Sequence, residues 1–254
     1  MKPITSKKNP KVKLVKSLND KKARKKLGLS FVEGEKVFRE LFLMRGNRIQ
    51  FIMCSEKKYE HIKSLEFVKP VEIFVVSKEI LKELSNQSTP DGIIAVFRVP
   101  TMTIEYLTGE ENFVVLDEIT DPGNMGTIIR TGIAMGIDLF STINCTDPYS
   151  PKAIQSSMGA IFSATIFDTS ACELKKIETT FIKTDMKGED ISKAKLPKNF
   201  AIVLGNEHNG VSEKMSEICD MSVAIPMEEG AESLNVAVAA GIVMYEIKRG
   251  GDCE

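Results

Sequence analysis

The sequence predicts an α/β protein of two domains, and its second half is expected to form a parallel sheet flanked by helices. Three observations favour this fold class. Short apolar runs alternate with segments of helical periodicity along the whole chain. Several of these runs are apolar throughout, which is typical of strands buried on both faces of a sheet. The length of 254 residues exceeds the common size of one compact domain.

The first hundred residues are predicted to alternate between helix and strand. A lysine-rich helix is expected over residues 5–27, with Asn9-Pro10 as its start or as an interruption, because a residue before proline avoids helical angles. Apolar runs predict strands at 31–32, 49–54, 71–76 and 93–99. Amphipathic segments predict helices from Gly34 onward, over 57–65 and over 78–84. This alternation indicates an α/β layer.

An acidic segment at 101–112 is the predicted linker, and we place the two domains at 1–105 and 106–254. Beyond the linker, apolar runs predict strands at 113–116, 139–143, 165–167, 181–184, 200–204 and 222–225. Helices are expected at 125–135, 151–158, 172–178, 212–218 and 234–248. Because strands alternate with helices here, the second domain is predicted to be a parallel sheet with helices on its faces.

The charge of the chain is unevenly distributed, although the net charge is only −1. Residues 1–26 contain eleven lysines or arginines and one acid, so this segment carries +10 and the remainder carries −11. A basic arm on an acidic body attracts polyanions to one end of a molecule, and nucleic acid is the expected partner. A solvated lysine-rich helix is the alternative interpretation of the same run.

The scattered cysteines and histidines argue against several kinds of site. The five cysteines form no CxxC pair, and the two histidines lie far apart, so we expect neither a disulfide framework nor a metal site. No apolar run approaches the roughly 20 residues that span a bilayer, and the N-terminus lacks the pattern of a secretory signal. We therefore expect a soluble cytoplasmic protein without a membrane partner.

Three polar segments of the second half lie at or beyond the ends of apolar strands, where open parallel sheets bind ligands. The first, residues 117–132, contains the turn Pro122-Gly123-Asn124 and a helix with Arg130. With Asn124 as the helix cap, both side chains are expected to point toward the loop mouth, and an arginine there suits a phosphate. The alternative is a capped helix whose arginine is merely exposed.

The second and third segments have similar character. Residues 202–212 lead from a buried strand into Gly205, which allows close backbone approach, and Glu207, which suits contact with a substrate or an arginine. Residues 223–240 lead into a helix with Ser233 as its expected cap and Asn235 in its first turn. Ordinary turns and caps also explain each segment taken alone. The G-x-G-x-x-G spacing of nucleotide-binding enzymes is absent.

In their order and separations, the three segments resemble the SpoU (TrmH-like) branch of the SPOUT superfamily of RNA 2′-O-ribose methyltransferases. The similarity runs from about residue 113 to the C-terminus and includes the run 147–160. The matching residues are Asp121-Pro122-Gly123-Asn124, Gly126 and Arg130, then Leu204-Gly205, Glu207 and Gly210-Val211-Ser212, and finally Ile225-Pro226-Met227 and Ser233-Leu234-Asn235-Val236-Ala237.

The resemblance implies a deep trefoil knot in the second domain, S-adenosylmethionine as the cofactor, and a homodimer that completes each active site. The catalytic residues it implies are Arg130, Asn124, Glu207, Ser233 and Asn235. The cofactor positions it implies are Gly205, Leu204, Ile225, Met227 and Leu234. Through Phe31-Val32-Glu33-Gly34 the first domain is similar to a substrate-binding domain that resembles ribosomal protein L30e, which implies recognition of structured RNA.

The expected reaction is attack of a ribose 2′-oxygen on the methyl group of the cofactor. Because a guanidinium stays protonated in proteins, Arg130 is expected to anchor phosphate and stabilise a developing alkoxide rather than to act as a base. Ribosomal RNA is the favoured substrate, and transfer RNA is the alternative. A catalytically silent RNA-binding protein and a small-molecule enzyme that uses a nucleotide are the other functions left open.

Overall fold

The computed structural model describes residues 3–228, 230 and 233–251. The chain forms two compact units. Unit 1 comprises the described residues up to Pro100 together with Tyr149–Phe162, and unit 2 comprises Thr101–Pro148 and the described residues from Ser163 onward. The division near residue 100 lies close to the predicted boundary at 105/106. Residues 149–162, which the sequence placed in the second domain, pack within unit 1 instead.

The first hundred residues alternate between helices and strands. Their order is α1 (Pro10–Ser17), α2 (Lys21–Leu27), β1 (Leu29–Glu33), α3 (Glu35–Arg45), β2 (Ile49–Cys54), α4 (Glu56–Lys63), β3 (Glu72–Val75), α5 (Lys78–Leu84) and β4 (Ile93–Arg98). The predicted strand at 49–54 and the predicted helix at 78–84 are confirmed at their bounds. Apart from the lysine-rich segment, the other predicted strands and helices of this region are present with shifted ends.

The second half continues the alternation. Its order is β5 (Phe113–Asp117), α6 (Pro122–Met135), β6 (Leu139–Ile143), α7 (Pro151–Ser156), β7 (Thr165–Asp168), α8 (Ala171–Leu174), β8 (Thr180–Asp190), β9 (Phe200–Leu204), α9 (Glu213–Ser216), β10 (Met221–Ala224) and α10 (Val236–Gly251). Short 3-10 turns occupy Gly46–Arg48, Ile104–Tyr106 and Ala160–Phe162. The predicted strands at 139–143 and 200–204 are confirmed at their bounds.

The lysine-rich segment forms two helices, so the prediction of one helix over 5–27 was wrong. Asp20 interrupts it, because its side chain accepts a hydrogen bond from the amide of Ala23 (2.9 Å) and caps α2. The buried Arg24 then donates to the carbonyl oxygens of Leu18 (2.9 Å) and Asn19 (3.0 Å), which satisfies the end of the preceding turn. Local side-chain bonds to the backbone therefore override the continuous helical pattern.

Unit 1 contains a mixed sheet with the strand order β1-β4-β2-β3 among its described residues. Strand β4 runs antiparallel to both β1 and β2, and β3 runs parallel to β2. The buried Ala95 lies between Val32 of β1 and Ile52 of β2. Helix α1 packs on this sheet through the buried side chains Val12 and Val15.

Unit 2 contains a parallel sheet with the strand order β10-β8-β9-β5-β6-β7, which confirms the predicted arrangement. The neighbouring strands β5 and β9 lie inside the sheet and are buried at every position. Val115 of β5 lies between Val203 of β9 and Ser141 of β6. The loops that follow these strands therefore leave from one edge of the sheet.

Strand β8 is longer than the predicted 181–184 and contains an irregularity. Its pairing with β10 jumps from Lys183 opposite Ser222 to Glu189 opposite Val223, so residues 184–188 leave the ladder. At Gly188 a Cβ atom would lie 2.5 Å from the backbone of Val223, so only glycine allows the two strands to approach there. Bulged segments of this kind redirect side chains away from a sheet.

Some kinds of site are absent from the part of the chain that the structure describes. No described helix combines the length and apolar character that crossing a membrane requires. No group of three or more metal-binding side chains occurs among residues 3–228, 230 and 233–251. The described cysteines, Cys54, Cys145, Cys172 and Cys219, are free. The remaining cysteine, Cys253, lies outside the described residues.

Candidate active site

Helix α6 begins at the carboxyl end of the parallel sheet with Asp121 as its cap. The Asp121 side chain accepts a hydrogen bond from the amide of Asn124 (2.9 Å), and Pro122 occupies the first helical position, where a missing N–H costs nothing. Asn124 therefore lies in the first turn, and the expectation that it caps the helix was wrong. This position leaves the Asn124 side chain available for contacts outside its own helix.

Helix α10 is capped by Asn235 and not by Ser233, the predicted cap. The Asn235 Oδ1 atom accepts hydrogen bonds from the amides of Ala237 (3.0 Å) and Val238 (3.4 Å). The Asn235 Nδ2 group donates to Oδ1 of Asn124 (3.2 Å). The Asn235 side chain thus both caps α10 and connects this helix to α6.

A chain of hydrogen bonds joins all three predicted segments. Asn235 donates to Asn124, and Asn124 in turn donates through Nδ2 to Oε1 of Glu207. The partners are 111 and 83 residues apart in the sequence. The N-terminal ends of α6 and α10, where the helix dipoles are positive, meet at this point. The structure therefore brings together Asn124, Glu207 and Asn235 of the predicted catalytic residues.

The loop that carries Glu207 folds back tightly on itself after β9. The amide of Asn206 donates to the carbonyl oxygen of Gly210 and the amide of Gly210 donates to that of Asn206, both at 2.9 Å. A Cβ atom at Gly205 would lie 2.2 Å from the backbone carbon of Gly210. Glycine at 205 is thus required by the approach of the protein's own backbone, in addition to any approach by a ligand.

Two further bonds tie this loop to the end of β5. The side chain of the fully buried Asp117 accepts a hydrogen bond from the amide of Ser212 (2.6 Å). The side chain of Asn206 donates to the carbonyl oxygen of Glu118 (3.1 Å), a residue with a φ of 58°. The sequence interpretation assigned no role to Asp117 or Asn206. In the sequence, a role for these two residues was indicated only by their positions at the ends of two apolar strands.

A cleft of about 610 Å³ lies beside this loop. Of the predicted cofactor positions, Gly205, Ile225, Met227 and Leu234 line it, together with the predicted catalytic residues Glu207 and Ser233. Leu204, the remaining predicted cofactor position, does not line the cleft. It is the last residue of β9 and only 1% exposed, so its side chain belongs to the sheet interior rather than to the cleft wall.

The bulged segment of β8 supplies another wall of the cleft, which the sequence interpretation missed. Thr184, Asp185, Met186 and Lys187 line it. The Asp185 carboxylate accepts a hydrogen bond from the amide of Lys187 (2.9 Å), and this bond holds the pKa of Asp185 below its usual range. An ionised carboxylate therefore faces the cleft near neutral pH.

Arg130 is not joined to the hydrogen-bonded chain of Asn124, Glu207 and Asn235. Its side chain is exposed on α6 and forms no hydrogen bond or ion pair with another described residue. It lies six residues after Asn124, which corresponds to about 9 Å along the helix axis. The structure thus leaves an unneutralised cation on the solvent side of α6. His208 is exposed at the cleft, and its amide donates to Oδ1 of Asn206 (2.9 Å).

The cysteines near the sheet edge are poor nucleophiles. Burial raises the pKa of Cys145 to about 11 and that of Cys219 to about 11. The Cys145 thiol also donates to the carbonyl oxygen of Leu116 (3.1 Å) and accepts from the amide of Ile119 (3.3 Å). These contacts make Cys145 part of the turn before α6. The arrangement therefore favours chemistry by hydrogen bonding and charge over covalent thiol catalysis.

Two family models match this chain. The model of the SpoU rRNA Methylase family matches residues 111–245, and the model of the MRM3-like substrate binding domain matches residues 9–95. The first match includes Asn124, Glu207 and Asn235, which the structure joins. The second lies within the part of the chain that precedes the parallel sheet.

Curated relatives and solved structures are similar over nearly the full length. The chain is 30% identical to the 23S rRNA (guanosine(2553)-2′-O)-methyltransferase RlmP of Bacillus subtilis, over 98% of this chain and 100% of that protein. A solved RNA 2′-O ribose methyltransferase is 26% identical, with a TM-score of 0.80 and 98% of each chain covered. An AdoMet-bound rRNA methyltransferase from Sinorhizobium meliloti shares the fold, at 24% identity, a TM-score of 0.88 and 98% coverage of each chain.

Proposed function

The chain belongs to the SpoU rRNA methylase family, and on that premise we propose that it methylates a ribose 2′-hydroxyl of ribosomal RNA with S-adenosylmethionine. One observation carries the proposal. Asn235, Asn124 and Glu207 come from three separate segments of the chain and join in one hydrogen-bonded chain beside a cleft of small-molecule size. The named activity of the Bacillus subtilis relative supports a 23S rRNA substrate. Transfer RNA is the alternative substrate.

The cleft fits S-adenosylmethionine in size and chemistry. Its volume of about 610 Å³ lies in the usual range for ligands of this size. Ile225, Met227 and Leu234 supply an apolar wall that suits an adenine ring, and the Asp185 carboxylate suits the positive charges of the molecule. We propose that the backbone around Gly205 and these side chains hold it. When bound, S-adenosylmethionine supplies a methyl group on a positively charged sulfonium.

The hydrogen-bonded chain is proposed to position the ribose and to assist loss of its hydroxyl proton. Glu207 accepts from Asn124, and its second oxygen is available to a substrate hydroxyl. Because Asn124 is held by Asn235, the Glu207 carboxylate has a fixed direction. Ser233 lines the same cleft and is proposed to contact the substrate or the cofactor. These residues reduce the reorganisation that the transfer requires.

Arg130 is proposed to bind a phosphate of the RNA and to stabilise negative charge that develops on the 2′-oxygen. Its guanidinium is exposed and is not neutralised by a described acid, which leaves it available to an anionic partner. Its distance along α6 from Asn124 favours a phosphate next to the modified ribose over direct contact with the Asn124 side chain. A guanidinium is unsuited to proton abstraction because it stays protonated in proteins.

Unit 1 is proposed to bind the RNA substrate through α2, in line with its match to a substrate binding domain. Lys22, Lys25 and Lys26 are exposed on α2. By contrast, Lys7 and Lys16 pair with the carboxylate of Glu83 at 2.5 and 2.8 Å. The basic arm is therefore divided between lysines that stabilise unit 1 and lysines available for phosphates.

Resemblance to the family also implies a knotted fold, an RNA-binding first domain and a dimeric assembly. We propose that the second unit contains a deep trefoil knot, that unit 1 is similar to ribosomal protein L30e, and that the protein is a cytoplasmic homodimer. The exposed Val238 (52%) and Tyr245 (54%) on α10 support an interface there. The free thiols of the described cysteines suit a reducing compartment.

The test is methyl transfer from labelled S-adenosylmethionine to rRNA and tRNA purified from cells that lack the gene. We expect label at one 2′-O-methylribose of 23S rRNA, and a loss of about a hundredfold or more in Arg130→Ala. Arg130→Lys keeps the charge but not the planar fork, so it should recover only part of the activity.

Each alternative result has a defined meaning. Label in tRNA alone would establish the alternative substrate. No label, together with saturable binding of S-adenosylmethionine in a calorimetric titration, would restrict the proposal to an RNA outside the pools tested. No label and no cofactor binding would reject methyl transfer in favour of a catalytically silent RNA-binding protein. Full activity in Arg130→Ala would reject the role of the guanidinium.

A further inference from the structure

We propose that Asn206 and Asp117 are positioning residues, which hold the Glu207 loop in place and thereby control methyl transfer without touching the substrate. The inference rests on the proposed function and deepens it. Neither residue belongs to the hydrogen-bonded chain of Glu207, Asn124 and Asn235. Both instead fix the two ends of the loop in which Glu207 lies.

Asn206 fixes the start of the loop with every polar atom of its side chain. Its Nδ2 group donates to the carbonyl oxygen of Glu118 (3.1 Å), at the turn that leads into α6. Its Oδ1 atom accepts from the amides of His208 (2.9 Å) and Asn209 (3.3 Å), on the far side of Glu207. The peptide that carries Glu207 is thus held between the turn before α6 and its own loop.

Asp117 fixes the end of the loop from inside the sheet. Its Oδ2 atom accepts from the amide of Ser212 (2.6 Å), where the loop passes into α9. Its Oδ1 atom is buried and has no hydrogen-bond partner among the described residues. A buried carboxylate oxygen without a partner is costly, so stability alone is a poor reason to place this carboxylate at the end of β5.

The turn that receives the Asn206 bond is itself unusual. Glu118 has a φ of 58°, a left-handed conformation that is rare for a residue with a side chain. The Glu118 carbonyl shares its peptide plane with the amide of Ile119, which donates to Sγ of Cys145 (3.3 Å), so this hydrogen bond fixes the orientation of the carbonyl group. Strained backbone of this kind persists where surrounding contacts enforce it, and it is concentrated at functional sites.

These contacts have one geometric consequence. The turn 117–119 holds both ends of the Glu207 loop and leads directly into α6, which carries Asn124. Residues 117–119 therefore set the positions of both Glu207 and Asn124, the two partners of this hydrogen bond. A small displacement of the loop would change this hydrogen bond first, and catalytic geometry is sensitive to shifts of about 1 Å.

Asn206→Asp tests the inference with an isosteric change. It keeps the Oδ1 acceptor for His208 and Asn209 and places an oxygen against the carbonyl of Glu118 where a donor is needed. Asn199→Asp is the matched control. In the amide orientation that satisfies its neighbours, Asn199 also donates to a backbone carbonyl, that of Glu110 (3.2 Å), but at the amino end of β9.

We expect Asn206→Asp to lower kcat by about tenfold or more with little change in KM for the RNA, and Asn199→Asp to stay within about twofold of the wild type. In a Glu207→Gln background, Asn206→Asp should cause less than about a twofold further loss, because it acts through Glu207. Asp117→Asn, which keeps an acceptor for Ser212, should be less severe than Asp117→Ala.

Equal loss of kcat in Asn206→Asp and Asn199→Asp would overturn the inference, as would additive losses in the Glu207→Gln background. The failure of the proposed function is a separate result, namely a wild-type protein that transfers no methyl group. In that case hydrogen exchange of the free protein decides the inference. Asn206→Asp should accelerate exchange in the peptide 205–211 and Asn199→Asp should not, and equal exchange there would reject the proposal.

Discussion

The two sheets of this protein differ in how they use their polar groups. In unit 2 the described strands of the sheet pair in parallel, and polar residues far apart in the sequence meet at one edge and bond to one another. In unit 1 the sheet is mixed, and many of its charges lie on exposed helices, where they form ion pairs or face solvent. Unit 2 therefore holds individual polar atoms in defined positions by hydrogen bonds, whereas unit 1 presents many charged side chains on its surface.

This comparison explains why the two units suit different tasks. Methyl transfer requires a hydroxyl to be held in one orientation, which the bonded chain of Glu207, Asn124 and Asn235 can provide. RNA binding by phosphate contact depends mainly on charge and tolerates small displacements. Substitutions in unit 2 should therefore have large effects at single positions, while those in unit 1 should have graded effects that add.

The largest effect is expected for Gly205→Ala in unit 2. The added Cβ atom would lie 2.2 Å from the backbone carbon of Gly210, and backbone cannot move aside as a flexible side chain does. We expect the Glu207 loop to open, the affinity for S-adenosylmethionine to fall by about a hundredfold or more, and methyl transfer to be lost. Calorimetric titration of the cofactor measures this directly.

Gly250→Ala is the matched control, because nothing lies within 4 Å of a Cβ atom at this position near the end of α10. Alanine also favours helix over glycine by about 1 kcal/mol, so thermal stability should be equal or slightly higher. Wild-type cofactor affinity in Gly205→Ala would contradict the idea that unit 2 depends on fixed backbone positions.

An intermediate, graded effect is expected for the exposed lysines of α2 in unit 1. We expect the triple substitution of Lys22, Lys25 and Lys26 by glutamine to weaken RNA binding by about tenfold or more. The slope of log affinity against log salt should fall by about 0.7–0.9 for each lysine that contacts a phosphate. Binding of S-adenosylmethionine should not change, since these residues lie in unit 1. Filter binding at several salt concentrations measures the slope.

A second triple variant sharpens this test, because it removes the same number of charges from the same arm. Lys7 and Lys16 pair with Glu83, and Lys11 pairs with Glu72 (3.4 Å) and lies 4.4 Å from the ring centre of Phe51. Substitution of these three lysines by glutamine should change RNA affinity by less than about threefold. Equal weakening by both triple variants would show that net charge alone, and not its arrangement, determines binding.

The smallest effect is expected for Glu83→Gln. Hydrogen bonds from Lys16 and then Lys7 lower the pKa of Glu83, so this ion pair stabilises the folded state above the ordinary pKa of a glutamate. The stabilisation is lost as the pH falls through the lowered pKa of the folded state. Thermal unfolding temperatures of wild type and variant should therefore differ slightly at pH 7 and converge as the pH falls below the lowered pKa of Glu83 in the folded state.

Glu66→Gln is a suitable control for this measurement, since Glu66 is exposed and has no ion pair with another described residue. Its unfolding temperature should follow the wild type across the same pH range. A difference for Glu83→Gln that persists unchanged at acidic pH would show that the effect does not come from the ionised carboxylate.

The sequence by itself determined which segments are buried and how they alternate. Strands such as β6 and β9 were predicted at their bounds because a continuous apolar run reports burial directly. Their alternation with helices was enough to predict a parallel sheet, and the position of Glu207 after β9 was enough to place it at the carboxyl edge of the sheet, where open parallel sheets generally bind ligands. These are local properties, so they can be read from neighbouring residues.

The tertiary structure alone decided which polar atoms meet. The bonds of Asn124 to Glu207 and Asn235 span 83 and 111 residues, and they depend on the order of the strands. Three further features also depend on the tertiary structure. They are the capping of α10 by Asn235, the bulge of β8 in the cleft wall, and the ion pairs that Lys7 and Lys16 form with Glu83. Periodicity reports that a residue is buried or exposed, but a hydrogen bond depends on the position of a partner elsewhere in the chain.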